Sequence, residues 1–251
     1  MIPQEPTPGL PLSPANEAIA APRAAEAFWS WADAAMFISF IFLCFFATSG
    51  AMYAIQAMGV LTLAVQLVLA QSLLYVLVIG ALYVVISVRY RAPFWYSMGF
   101  RRGKGFWPAW VAGGVVLAVV LAVLGAVLRA PNIPLPFENL LRGRFAVVSL
   151  GFLVVLLGPF AEELVFRGFL MPLFMRSLGA VGGVLLAGAL FGAMHAPEYR
   201  FAWQQVVLIS AAGAAFGWAR YRTHSTFPAV AMHAGFNGLQ FVLFLAFHGG
   251  L

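Results

Sequence analysis

Two glutamates and an arginine stand within six residues of one another, as Glu162, Glu163 and Arg167 in the apolar stretch GPFAEELVFRGF. A charge in hydrocarbon costs about 3 kcal/mol on insertion scales, so an intramembrane ionisable group reads by default as a functional site with a partner. Three further polar groups follow in equally apolar surroundings: His195 in LFGAMH, and His233 and Asn237 in AMHAGFNG. A carboxylate, two imidazoles and a carboxamide can together direct water at a carbonyl. Glu162 is the natural general base. His195 could share or orient the water, and His233 with Asn237 could donate hydrogen bonds to a developing oxyanion. No serine or cysteine stands in a nucleophile motif, which favours an activated water over an acyl-enzyme.

Helix geometry sorts these groups. Glu163 and Arg167 are four residues apart and share a face, with the acid on the N-terminal side as an ion pair prefers. They read at least as well as a lock on their own helix as they do as reacting groups. Glu162 is rotated from Glu163 by about 100° and needs a partner on another helix or a watered cavity. His233 and Asn237 share a face. Taken singly, His195 reads as an interfacial residue, and His233 and Asn237 as helix-bridging ones. Phe191 reads as a wall of the site. Two histidines and a glutamate also match a catalytic zinc set, although HExxH is absent and the ligands would come from three helices. A proton relay in an ion-coupled transporter is a further reading, although no internal repeat of the kind transporters use is visible. The remaining alternative is an immunity or binding protein with a degenerate site.

The three clusters resemble the motifs of a known family. Glu162-Glu163-x-x-x-Arg167, Phe191-x-x-x-His195 and His233-x-x-x-Asn237 are similar, in order, to those of the CAAX protease and bacteriocin-processing family. These are intramembrane glutamic endopeptidases that include the CAAX prenyl endopeptidase. The resemblance covers residues 145–247. It implies catalytic roles for Glu162, His195, His233 and Asn237, with Glu162 and His195 activating water and His233 and Asn237 forming the oxyanion site. It implies supporting roles for Glu163 and Arg167. It also implies a membrane-associated or prenylated-type protein or peptide as substrate, and no metal or other cofactor, zinc being the runner-up.

The elements that must carry these residues are membrane helices. The chain has 251 residues, 63% hydrophobic and 9% charged, with a mean hydropathy of +0.94. A soluble domain carries about 25% charged residues. The fold class is therefore all-α, a polytopic bundle of about seven helices over residues 28–251, with the motif-bearing part at 145–247. Spans are expected near 34–58, 60–88, 106–128, 145–175, 178–195, 201–219 and 226–247, the first two divided near Gly59 and the fourth interrupted at Gly158-Pro159. Residues 1–27, rich in Pro and Ala, read as a disordered tail without the basic start and apolar core of a secretory signal.

The net charge of +6 is not a nucleic-acid signal, because the cations cluster between spans. Arg89, Arg91, Arg101, Arg102 and Lys104 form one loop, whose aromatic residues suit the membrane interface. With Arg176, Arg220 and Arg222, this loop places the N-terminus in the cytoplasm, most simply of a bacterium with the protein in its inner membrane. The partners expected are the lipid bilayer and a membrane-associated substrate. The single cysteine, Cys44, reads as a packing residue. The pairs Gly188/Gly192 and Gly213/Gly217 read as close-packing sites between helices.

Overall fold

A computed structural model describes residues 27–59, 61–101, 106–133 and 143–248. Residues 1–26 of the expected tail, and Arg102 and Lys104 of the basic loop, lie outside the described residues. Among those described there are only helices and connecting turns. They are α1 (Trp31–Met58), α2 (Leu63–Tyr83), a short α3 (Phe94–Ser97), α4 (Trp107–Val127), α5 (Arg144–Phe152), α6 (Gly158–Glu163), α7 (Met171–His195), α8 (Trp203–Thr223) and α9 (Thr226–His248). Five helical runs are long and apolar enough to cross a membrane: Trp31–Met58, Leu63–Arg89, Trp107–Val127, Arg144–His195 and Thr226–Phe247. The protein is thus an all-α integral membrane bundle. The helix α8, expected as a span, is not among the five; its last turn carries Arg220 and Arg222.

The break between α1 and α2 falls at Gly59, which adopts the left-handed conformation (φ 67°) that glycine takes without steric penalty. The 52-residue run Arg144–His195 is two limbs. It folds back at Gly179, whose φ of 73° and ψ of 175° are not helical. A Cβ placed on Gly183 would lie 2.6 Å from the backbone nitrogen of Met175. Eight residues of straight helix would separate those positions by about 12 Å. The reversal sends the limb bearing Glu162, Glu163 and Arg167 one way and the limb bearing Phe191 and His195 back beside it. Counted on either side of Gly179, the described chain forms seven long helical segments.

The first limb is not regular. It passes through two π-helical turns, Leu153–Leu157 and Leu164–Leu170, on either side of α6. Single π turns are rare and cluster at functional sites. The first has a local cause. Gly158 donates its N–H to Leu153 O, five residues back, and Pro159 has no N–H to give. The carbonyl of Val154 is therefore left without a helical donor. Asn237 on α9 fills it, with Nδ2 at 2.8 Å from Val154 O.

Small residues set the helix spacing. A Cβ on Gly188 would meet Ala214 N at 2.7 Å and Ser210 O at 2.8 Å, and one on Gly192 would meet Val206 O at 2.6 Å. The second limb thus lies backbone-to-backbone against α8. Across the bundle, a Cβ on Gly114 or Gly235 would run into the backbone of α9 or α4 respectively.

Arg89, Arg101, Arg176 and Arg220 gather near one end, while Arg129, Arg144 and Arg200 stand at the opposite ends of their helices. Arg176 donates to the carbonyls of Ala27 and Trp29, and Arg89 pairs with Asp33 at 2.9 Å. The Arg220 guanidinium lies beneath Gly99, and Ser225 donates to Arg101 O. The aromatic loop of residues 90–101 does not simply rest on the interface as expected. Phe94 and Met98 are buried in the core, and Thr226 donates both its N–H (to Gly99 O) and its hydroxyl (to Met98 O) into this loop. The loop caps α9 and so becomes part of the core.

Gly188→Val is expected to destabilise the protein by about 1–3 kcal/mol, since overpacking here can be relieved only by moving backbone. Gly80→Ala, which meets nothing within 4 Å, is the matched control and should be near neutral. Thermal unfolding of both variants in detergent checks the pair.

Candidate active site

The polar residues picked out above meet around Glu163. This residue and Arg167 are fully buried. Oε1 of Glu163 accepts from Arg167 NH1 at 2.8 Å and faces His233 Nδ1 at 2.9 Å. The second guanidinium nitrogen of Arg167 donates to Gly213 O at 2.6 Å. That approach needs a glycine, because a Cβ on Gly213 would lie 3.1 Å from both the Arg167 guanidinium and the Gly188 Cα. The Gly213/Gly217 pair therefore does more than pack helices. Arg167 Nε has no hydrogen-bond partner, but the guanidinium lies over three rings, Phe191 (4.8 Å), Phe216 (5.5 Å) and Phe166 (5.6 Å). Aromatic faces attract a desolvated cation by up to about 2 kcal/mol.

An ionised carboxylate only accepts hydrogen bonds. Beside Arg167, Glu163 therefore assigns the proton on His233 to Nδ1 and turns Nε2 the other way. There Nε2 lies 4.0 Å from Glu162 Oε2. Phe216 stacks on the His233 ring (4.6 Å, 19°) and Phe191 meets it edge-on (5.5 Å), so the imidazole plane is fixed on two sides.

Glu162, one residue along from the locked glutamate, faces elsewhere, as the helical offset requires. Its side chain is 24% exposed and lines a cavity of about 880 Å³. Its Oε1 accepts from the Tyr75 hydroxyl at 3.0 Å. His195, Glu198, His233 and Asn237 line the same cavity. His195 Nδ1 sits 2.7 Å from Phe191 O, one turn back. A carbonyl can only accept, so Nδ1 carries the proton and Nε2 of the neutral ring is left as the acceptor. Straight helices would not bring His195 and His233 level. Here Phe191 touches both rings, at 4.6 and 5.5 Å between centroids, because Gly179 returns the second limb alongside the first. Asn237, expected to offer its amide to an oxyanion, spends one N–H on Val154 O and retains the other.

Two cavity residues were not singled out in the sequence. Tyr75 comes from α2, far from any motif. Its available signal was Gln71 one turn earlier, a polar pair at helical spacing in a span without charge. Glu198 follows His195 in the turn joining α7 to α8. Desolvation beside the cavity raises its carboxyl above the ordinary range, and the Glu162 charge adds to this, while His195 opposes it. Among the described residues, no three His, Cys, Asp or Glu side chains group as metal ligands.

Comparison with known families finds a likeness over the motif-bearing part of the bundle. Residues 144–239 match the family model described as type II CAAX prenyl endopeptidase Rce1-like. No curated protein matches the chain, and no solved structure does. The matched segment contains every motif residue from Glu162 to Asn237 and leaves out α1 to α4.

Removing one partner of a buried ion pair strands the other charge, at a cost of about 3–5 kcal/mol. Arg167→Ala is expected to lower stability by this amount in detergent unfolding. Asn237→Ala leaves Val154 O orphaned and should cost about 1–3 kcal/mol. Adding Pro159→Ala restores a backbone donor at that bulge, so the double variant should recover part of the loss.

Proposed function

We propose that the protein is an endopeptidase in which Glu162 activates water to hydrolyse a peptide bond of a membrane-associated substrate. The observation that carries this reading is the division of labour between adjacent carboxylates. Glu163 is sealed between Arg167 and His233, whereas Glu162 opens on the cavity with Oε2 4.0 Å from His233 Nε2. That gap is too long for a direct hydrogen bond and suits a bridging water. In the proposed step Glu162 Oε2 takes a proton from water as its oxygen adds to the scissile carbonyl, and returns that proton to the departing amine. His195 Nε2, free because Nδ1 is engaged, orients the attacking water. His233 Nε2 and the spare Asn237 N–H face the oxyanion. Glu163, Arg167 and Phe191 support these groups without reacting.

The mechanism is proposed to be free of metal; activity should survive chelation and dialysis. The substrate is proposed to be membrane-associated because the cavity lies among helices of bilayer length. One of its walls is apolar, formed by Leu67, Val119, Ala122 and Leu243. We also propose a cytoplasmic N-terminus in a bacterial plasma membrane. The gathering of Arg89, Arg101, Arg176 and Arg220 at one end of the bundle supports this orientation.

Comparative proteomics of membranes carrying wild type or Glu162→Ala tests the activity and finds the target. An uncleaved precursor should accumulate only with the variant, and His195→Ala and His233→Ala should reproduce it. Full cleavage by a folded Glu162→Ala protein would overturn the assignment.

A further inference from the structure

The Glu162 carboxylate is not held by the family-matched segment alone. Its Oε1 accepts from Tyr75 at 3.0 Å, and Tyr75 belongs to α2, outside residues 144–239. A phenol is protonated at neutral pH, so the hydroxyl donates to the carboxylate. Gln71, one turn earlier, lines the same cavity as Tyr75 and Glu162. The Tyr75 ring packs against the buried cluster of Val147, Leu150 and Leu153, so the hydroxyl is delivered from a fixed platform. Gly158 keeps the approach open. A Cβ there would lie 3.1 Å from the Tyr75 hydroxyl and 3.6 Å from Glu162 Oε1. A hydrogen bond to an ionised acceptor is about twice as strong as a neutral one, and here it engages one oxygen only.

We propose that Tyr75 is a positioning residue for Glu162, pinning Oε1 so that Oε2 alone is presented to His233 and the cavity. This rests on the reading of Glu162 as the base. It gives the N-terminal helices a part in the reaction, and it assigns the glycine of GPFAEE the task of leaving room for that contact. Tyr75 itself transfers no proton.

Tyr75→Phe keeps the ring and removes the donor. Two readouts on the full-length protein decide the matter. The first is infrared difference spectroscopy of protein carrying carboxyl-labelled glutamate, with Glu162→Gln subtracted to isolate the Glu162 band. Tyr75→Phe should shift the carboxylate stretch, and Gly158→Ala should shift it the same way; an unmoved band overturns the proposal. The second is cleavage of an internally quenched peptide bearing a farnesylated cysteine. The expected result is a kcat lower by about 10- to 100-fold, the scale of a slightly misplaced reacting group, with KM within about twofold. An unchanged kcat, or a raised KM with kcat intact, overturns it by making Tyr75 mere packing or substrate wall. Failure of the peptidase reading shows separately, as wild-type activity equal to that of Glu162→Gln, and the infrared band then decides the contact by itself.

Discussion

The site depends on one buried carboxylate oxygen. Glu163 Oε1 takes hydrogen bonds from Arg167 on its own helix and from His233 on another. Desolvating a carboxylate and a guanidinium is expensive, and their attraction offsets this only with good geometry and further hydrogen bonds. The surroundings supply both. Gly213 brings a carbonyl to the guanidinium, three phenylalanines lie around it, and His233 adds a second hydrogen bond to Glu163 Oε1, while Oε2 has no partner among the described residues. Each of those partners comes from a different part of the bundle. The ion pair therefore ties the first limb to α8, α9 and the Phe191 limb, and the same tie sets the tautomer of His233.

The neighbouring carboxylate has the opposite environment. Glu162 is turned out of the locked cluster by the helical offset alone, into a cavity that α2 and α4 help to close. Two adjacent glutamates thus have different surroundings for a geometric reason. One must be buried for the imidazole to be fixed, and the other must then face water. The first π turn belongs to the same economy. It frees the Val154 carbonyl, and that carbonyl holds Asn237, which places the carboxamide at the cavity wall one turn beyond His233.

Much of this could be read from the chain because charge in an apolar sequence is so costly that each exception is informative. The helical class, the break at Gly59 and the offset between Glu162 and Glu163 all follow from composition and period. What could not be read is what depends on distant backbone. The reversal at Gly179, which brings His195 level with His233, is invisible within an apolar run of ordinary glycines. The cause of the bulge at Gly158-Pro159 was legible, because proline lacks a donor, but not that Asn237 would answer it. Tyr75 was hidden for another reason: a hydroxyl in a long uncharged span carries little cost and so little signal. The basic loop misled in the other direction, since Phe94 and Met98 look interfacial by type yet fill the core.

The central claim is that Glu162 Oε2 and His233 Nε2 share a water in a cavity sealed from lipid. The most direct test is a high-resolution structure of the wild-type protein crystallised in a lipidic phase. The account predicts an ordered water within hydrogen-bonding distance of both atoms. A Glu162 side chain turned to lipid, or an acyl chain filling the space between residues 162 and 233, would contradict it.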